Sequence, residues 1–222
     1  MVKIIYSMSN LAEKAYHEIL NAIVTGQYKP GQRLTEDQLC KDLNMSRTPI
    51  REALRMLLSD GVVKKDTKSY SVVYISAEEA RMLYELRIPL EGHAAKLATM
   101  RANEEDIKKL GDILQRIKEE MEKENPDPLT LAELNGSFHE EVALLSKNKY
   151  LYNCLHDIRV KLKIVRTSLF TSYERRKDEY NEHYSVFLAI KEKDPEKAEK
   201  IMIEHEKKVL EFLEKRVFLF MK

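Results

Sequence analysis

Hydrophobic residues recur every three to four positions along most of the chain, a period that predicts α-helices rather than strands. In the first quarter, this pattern predicts helices over about 9–25, 36–43 and 47–60, each bounded by residues that favour a helix end. After the third helix the pattern changes to two β-rich runs, 62–65 and 70–75, joined by a short polar segment. Three helices followed by a hairpin predict a winged helix-turn-helix.

The helical period returns at Ala77 and continues to the end of the chain. Asp194 followed by Pro195 is a strong helix start, because Asp caps free backbone N–H groups and Pro suits the first helical position. The predicted fold is therefore mainly α, with a winged helix-turn-helix domain over 1–76 and an all-helical antiparallel bundle over 77–222. Its six helices are predicted near 77–98, 103–124, 128–146, 148–172, 175–193 and 195–220.

The composition favours a helical, globular and cytoplasmic protein. Charged residues make up 34% of the 222 residues, whereas Gly and Pro number only six each. The two cysteines, Cys40 and Cys154, lie far apart and form no CxxC pair, which argues against a disulfide framework or a thiolate zinc site. No apolar run has the length of a secretory signal or a membrane span, so we expect no membrane partner.

Charge balance alone does not indicate nucleic-acid binding, because the formal net charge is only +1. The arrangement within the third predicted helix is more specific. Apolar side chains form one stripe of this helix, whereas Arg47, Arg51 and Arg55 recur every four residues on another face. A basic stripe alone is more often a solvated helix face. Here the preceding capped helix and tight turn, together with the following hairpin, favour the recognition helix of a helix-turn-helix.

The first 75 residues or so are similar to the winged-helix head of the GntR family of bacterial transcription regulators. Three segments carry this resemblance: GQRL (31–34), SRTPIREAL (46–54) and DGVV (60–63). It implies DNA contacts by Arg47, Thr48 and Arg51, and a supporting contact to the DNA backbone by Arg33. The family usually has a glycine at the tip of the wing, where this chain has DTKSY (66–70). Lys65 and Lys68 are the candidates for phosphate contacts in this divergent wing.

Three of the six histidines lie on predicted inward-facing helix stripes of the second domain. Asn135 and His139 are four residues apart and share one helix face, and His183 and His205 each lie beside apolar residues at helical spacing. A lone histidine is more often a surface or core residue than a ligand. Three converging imidazoles with an amide oxygen would suit zinc or nickel, but spacing does not establish convergence. The residues alone leave a metal site and a polar core as alternatives.

The second domain resembles the FCD effector domain of the FadR-type GntR subfamily. The matching segments are LRIPLE (86–91), NGSFH (135–139), EHY (182–184) and MIEH (202–205). Many members of that subfamily bind a metal through an Asp and three His in this order. The resemblance therefore implies that Asn135, His139, His183 and His205 are metal ligands, with no role for His17, His93 and His156.

This chain has Asn135 where the family more commonly has Asp. An amide oxygen can coordinate but brings no negative charge, so a bound divalent ion keeps its full charge and favours an anionic ligand. We therefore expect a small carboxylate metabolite as effector, with Arg87 as a second, bidentate contact. The alternative for Arg87 is a surface residue paired with Glu91 at i+4.

Together these observations predict a cytoplasmic, ligand-responsive transcription regulator, a repressor rather than an enzyme. A homodimer would read a pseudo-palindromic DNA operator. Two alternatives remain: a metal-dependent hydrolase that uses the three histidines to activate water, and a regulator whose histidines line a metal-free cavity. Glu140 and Glu182 adjoin the candidate ligands, but adjacent helical residues point in different directions, so no general base is assigned.

Overall fold

A computed structural model describes residues 2–67, 69–167 and 172–220 of the chain. The chain divides into two compact units, Met1–Ile75 and Ser76–Lys222. Helices dominate both, which confirms the predicted mainly α fold. None of the helices in the described part of the chain combines the length and hydrophobicity that crossing a bilayer requires.

The first unit is a winged helix-turn-helix with a small antiparallel sheet. Its elements are α1 (Val2–Val24), β1 (Arg33–Leu34), α2 (Glu36–Asp42), α3 (Arg47–Ser59), β2 (Val63–Lys65) and β3 (Tyr70–Val72). The strand order is β1-β3-β2, and Ser71 of β3 pairs with Arg33 on one side and Lys64 on the other. The sequence pattern predicted the β2–β3 hairpin but missed β1, because a two-residue strand has no detectable period.

Local sequence signals explain where α2 and α3 begin and which face of α3 is buried. The Thr35 side chain accepts a hydrogen bond from the backbone N–H of Gln38 at 3.2 Å and so caps α2. Asn44, in the turn between the two helices, adopts a left-handed φ of 52°. Ser46 occupies the N-cap of α3 without a side-chain hydrogen bond. Ile50 and Leu54 are fully buried, so the apolar stripe of α3 faces the core and its arginine stripe faces outward.

The second unit is the predicted bundle of six helices. These are α4 (Ala77–Arg101), α5 (Glu104–Met121), α6 (Pro128–Leu145), α7 (Lys149–Thr167), α8 (Tyr173–Lys191) and α9 (Pro195–Arg216), followed by a 3-10 turn, Phe218–Phe220. Asp194 caps α9 by accepting a hydrogen bond from the Lys197 N–H at 3.1 Å. Residues 168–171, which the predicted α7 included, lie outside the described residues.

Helix α4 contacts α6, α7, α8 and α9, so its inner face is surrounded by other helices. Its approach to α9 depends on Gly92, where an added Cβ would lie 2.5 Å from Cγ1 of Ile203. This close packing brings the polar side chains before Gly92 on α4 next to those around His205 on α9. A charged cluster is therefore enclosed in the bundle.

Candidate metal centre and nucleic-acid interface

Three buried histidines from three helices meet inside the bundle. His139 on α6, His183 on α8 and His205 on α9 are each at most 1% exposed. The Nε2 atom of His183 lies 3.1 Å from Nε2 of His139 and 3.3 Å from Nε2 of His205. The sequence could place each residue on an inner helix face, and the fold brings the three side chains together at their Nε2 atoms.

A carboxylate is hydrogen-bonded to the Nδ1 edge of His205, and two others lie near the Nδ1 edge of His139 without forming a hydrogen bond. Glu182 Oε2 lies 2.7 Å from Nδ1 of His205, while Glu91 Oε2 and Glu206 Oε1 lie 3.4 Å and 3.6 Å from Nδ1 of His139. A proton on Nδ1 leaves a lone pair on Nε2, which is the arrangement of metal-bound histidines with carboxylate support. Burial lowers the pKa of His139 and of His183 well below the usual value, which favours the neutral, ligand-competent form.

Asn135 stands one helical turn before His139 on α6 and is almost fully buried. Its Nδ2 donates to the backbone carbonyl of Leu131 at 2.7 Å, which fixes the amide orientation. Its Oδ1 has no hydrogen-bond partner among the described residues. A buried amide oxygen without a donor is costly, so this atom is a candidate ligand for a cation.

The donor set fits a divalent transition metal. With metal–nitrogen bonds of about 2.1 Å, two ligands of one ion lie about 3.0 Å apart in octahedral geometry and about 3.4 Å apart in tetrahedral geometry. The Nε2–Nε2 distances of 3.1 and 3.3 Å fall in this interval. Three imidazole nitrogens that meet within this range of distances are better suited to holding a cation than to packing against each other.

Arg87 is fully buried, so the alternative of a surface residue is wrong. Its guanidinium does pair with Glu91 at i+4, at 3.1 Å, and also with Glu206 on α9 at 2.9 Å. Arg166 on α7 contacts the other oxygen of Glu206 at 3.4 Å and places Nη2 3.5 Å from Nε2 of His139. Two arginines and two glutamates thus surround the histidines.

A second potential cation cluster within the described residues consists of Glu91, His139 and Glu206. The guanidinium of Arg87 already contacts both of these carboxylates. Arg87 therefore neutralises these carboxylates in place of a metal ion.

Glu179 and Glu182 lie on the α8 face that carries His183. Arg175 pairs with both carboxylates at 2.9 Å. Burial opposes ionisation of Glu179, but the positive charges around it, led by His205, outweigh burial and lower its pKa. The pKa of Glu182 is likewise lowered, because its contacts with His205 and Arg175 outweigh partial burial. Both side chains therefore remain anionic.

This charged shell was not predicted from the sequence. Glu182 adjoins His183 but contacts His205 on the next helix, a contact that sequence adjacency does not reveal. Glu140 contacts Tyr152 instead, and its carboxylate is partly exposed. Helical spacing could have indicated these residues, because Arg87 and Glu91, like Glu179 and His183, are i and i+4 pairs on apolar helix faces.

In the first unit, four predicted DNA-contacting residues are exposed: Arg33, Arg47, Thr48 and Arg51. Two of them form ion pairs with α2. Arg47 contacts Asp37 at 2.9 Å, and Arg51 contacts Glu36 at 2.7 Å. Lys68, also predicted to contact DNA, lies outside the described residues, whereas Lys65 at the end of β2 is exposed.

Comparison with known proteins shows similarity over both units. Residues 11–71 match the family of bacterial regulatory proteins named gntR, and residues 82–208 match the FCD domain. The HTH-type transcriptional regulator YdhC of Bacillus subtilis is 33% identical, over 86% of this chain and 85% of its own length. The gluconate operon transcriptional repressor of the same species is 23% identical, over 85% and 79%.

The solved structure of E. coli McbR/YncC has the same fold, with a TM-score of 0.69 and 21% identity over 93% of this chain and 98% of that chain. The two family matches and the similarity to YdhC, rather than the fold alone, identify a DNA-binding transcription regulator. The chain belongs to the GntR family and carries an FCD domain, as the sequence resemblance predicted. Because the family and these relatives are regulators, the hydrolase alternative is set aside.

Proposed function

We propose that this protein is a metal-dependent, carboxylate-responsive repressor that acts as a homodimer. The observation that carries the proposal is the convergence of the Nε2 atoms of His139, His183 and His205 inside the effector domain. The repressor role is supported by similarity to the gluconate operon transcriptional repressor, a regulator of an operon named for a carboxylate.

The head would bind DNA through the exposed face of α3. Arg47, Thr48 and Arg51 are positioned for base edges or phosphates in the major groove, and Arg33 for the DNA backbone. Lys68 remains a proposed wing contact on sequence grounds. In the DNA-bound form, phosphate or base acceptors would replace Asp37 and Glu36 as partners of the two arginines.

Two copies of the chain would read a pseudo-palindromic operator. On α4, the exposed residues Met82, Leu86 and Met100 lie on one side of the helix and form a stripe that we call the α4 stripe. Exposed large apolar residues aligned on a helix are typical of a protein interface. We assign a second copy of the chain to this stripe, because paired half-sites require two heads.

The proposed metal ligands are Asn135, His139, His183 and His205. Imidazole and amide ligands favour zinc, with nickel as the alternative. The bound ion would supply a fixed positive charge that attracts a carboxylate effector. Arg87 would then provide the second contact, and an arriving carboxylate would compete with Glu206 for its guanidinium. Effector binding would thereby be coupled to the ion pair between α4 and α9. The size of the response cannot exceed the difference in the effector's affinity for the states that can and cannot bind DNA.

Native mass spectrometry of gently purified protein tests these proposals together. We expect a dimer with one divalent ion per chain, and a monomer for the Leu86→Asp variant of the α4 stripe. His183→Ala should lose the metal because one of three imidazole ligands is removed. The matched control is His156→Ala, since His156 is half-exposed on α7 and outside the cluster. A metal-free wild-type protein, or equal metal content in the His183→Ala variant, would contradict the metal proposal.

A further inference from the structure

Two helices of the bundle each carry an oxygen-bearing side chain four residues before a histidine. On α6, Asn135 precedes His139 by four residues, and on α8, Glu179 precedes His183 by four residues. Each pair presents an oxygen and an imidazole on one helix face. Asn135 Oδ1 and Glu179 Oε2 are both buried, and neither has a hydrogen-bond partner within the described residues. The metal ligands inferred from the family resemblance include only the first of these oxygens.

The two oxygens of Glu179 differ in their contacts. Oε1 accepts a hydrogen bond from Arg175 Nη2 at 2.9 Å. Oε2 lies 3.8 Å from Nε2 of His183 and 3.8 Å from Nη2 of Arg166. A fully buried carboxylate oxygen left without a donor is unfavourable unless a cation is close to it. Nε2 is the edge of His183 that faces the other two histidines, so Oε2 lies on the metal-facing side of the ring.

The other nearby carboxylates either face an Nδ1 edge or are bonded to an arginine, as is Glu206 Oε1, which lies 3.9 Å from Nε2 of His205. Glu206 Oε1 contacts Arg87 at 2.9 Å, and Glu206 Oε2 contacts Arg166 at 3.4 Å. Glu91 approaches the Nδ1 edge of His139 rather than Nε2, and Glu182 approaches the Nδ1 edge of His205. Among the carboxylates described around the cluster, Glu179 therefore combines an oxygen that accepts no hydrogen bond with proximity to a histidine Nε2 atom.

We infer that Glu179 is a further metal ligand, which supplies the negatively charged oxygen that Asn135 does not. The inference rests on the proposed metal function. Two ligands of one ion, each bonded at about 2.1 Å, are at most about 4.2 Å apart, and the 3.8 Å separation of Glu179 Oε2 and His183 Nε2 satisfies this limit. Three neutral imidazoles and an amide leave a divalent ion at its full charge, whereas Glu179 reduces that charge by one.

The test is the affinity of metal-free, full-length protein for Zn²⁺, measured by competition with a chromophoric chelator. Glu179→Gln keeps the size of the side chain and removes its charge, and we expect its Zn²⁺ affinity to fall about 100-fold, the upper end of the effects seen even for groups that only support metal ligands. The matched control is Asp178→Asn, because Asp178 is exposed on the same helix and should leave Zn²⁺ affinity unchanged. Circular dichroism of the metal-free variants checks that the helices are retained.

A second variant separates coordination from a structural role. Asn135→Asp combined with Glu179→Gln moves one carboxylate from α8 to α6 and keeps the total charge. We expect this double variant to recover Zn²⁺ affinity to within about tenfold of wild type, because the ion again has one anionic ligand. If Glu179 has a purely structural role, Asn135→Asp should raise Zn²⁺ affinity by the same factor in wild type and in Glu179→Gln, whereas coordination by Glu179 predicts a larger gain in Glu179→Gln. The absorption of bound Co²⁺ should also differ between wild type and Glu179→Gln, because an anionic carboxylate ligand is lost or replaced by a neutral amide.

The outcomes distinguish this inference from the proposal on which it rests. Failure of the wild-type protein to bind Zn²⁺ would contradict the proposed metal function itself. If wild type binds but Glu179→Gln binds equally well with an unchanged Co²⁺ spectrum, Glu179 is not a ligand and the four-ligand site stands. Loss of affinity that the double variant does not restore would also overturn the inference.

Discussion

The head and the bundle both contain arginine–carboxylate pairs, but in opposite environments. On the head, the paired side chains of Arg47 and Asp37 are 66% and 72% exposed. In the bundle, the side chains of Arg87, Glu91 and Glu206 are 0% exposed. The pairs have similar lengths, between 2.9 and 3.1 Å, so burial rather than geometry distinguishes them.

This difference matches what each region is proposed to do. An exposed ion pair contributes little stability because water screens both charges, so its arginine can exchange a carboxylate for a DNA phosphate at low cost. Buried charges have lost their hydration, and removing one partner leaves the other uncompensated. The ion pairs of the head are therefore suited to exchange partners. The ion pairs of the bundle are suited to hold helices α4, α7 and α9 in one arrangement until a bound anion or cation changes the charge of the cluster.

The largest effect is expected from breaking the buried cluster. Arg87→Met leaves Glu91 and Glu206 without their closest cation, and should lower the free energy of unfolding by about 3–5 kcal/mol. Urea denaturation followed by circular dichroism measures this change. Arg81→Met is the control, because Arg81 forms an exposed pair with Glu214 at 2.9 Å and should cost about 1 kcal/mol or less. An equal loss in the free energy of unfolding for the two variants would contradict the proposed difference between buried and exposed ion pairs.

Much of the fold could be predicted from the sequence because its signals are local. The helical period and the Asp194–Pro195 start gave the six helices of the bundle to within a few residues, apart from the ends of α7 and α9. Strand β1 was missed because only its pairing with β3 defines it.

The candidate site was less predictable because its contacts are distant in sequence. Helical spacing put His139, His183 and His205 on inner faces, but the 3.1 and 3.3 Å separations depend on how α6, α8 and α9 pack. Arg166 reaches Glu206 across 40 positions of the chain, and no local pattern signals that contact. The Arg87–Glu91 pair was visible as an i and i+4 spacing, whereas its burial depends on tertiary structure.

An intermediate effect is expected on the head. Arg51→Ala should weaken binding to a specific operator by about 1–3 kcal/mol if the guanidinium reads a base. The operator can be obtained by selection from a random DNA library with the wild-type protein, and affinities for it and for unrelated DNA are then compared by fluorescence anisotropy. A loss of similar size on both DNAs would mean that Arg51 contacts phosphate, and unchanged binding would remove it from the interface.

The smallest effect should come from an acidic residue that competes with DNA for an arginine. Asp37→Asn removes the charge that Arg47 contacts, so binding to the same operator should tighten by about two- to fivefold at low salt, the range expected for one exposed pair. Because the pair is exposed, the melting temperature of the head should hardly change. Since no phosphate contact is added or lost, the slope of log affinity against log salt should keep its wild-type value within about one unit. Weaker operator binding by Asp37→Asn would instead mean that Asp37 orients Arg47 for DNA, and the exposed pairs would then share the positioning role of the buried ones.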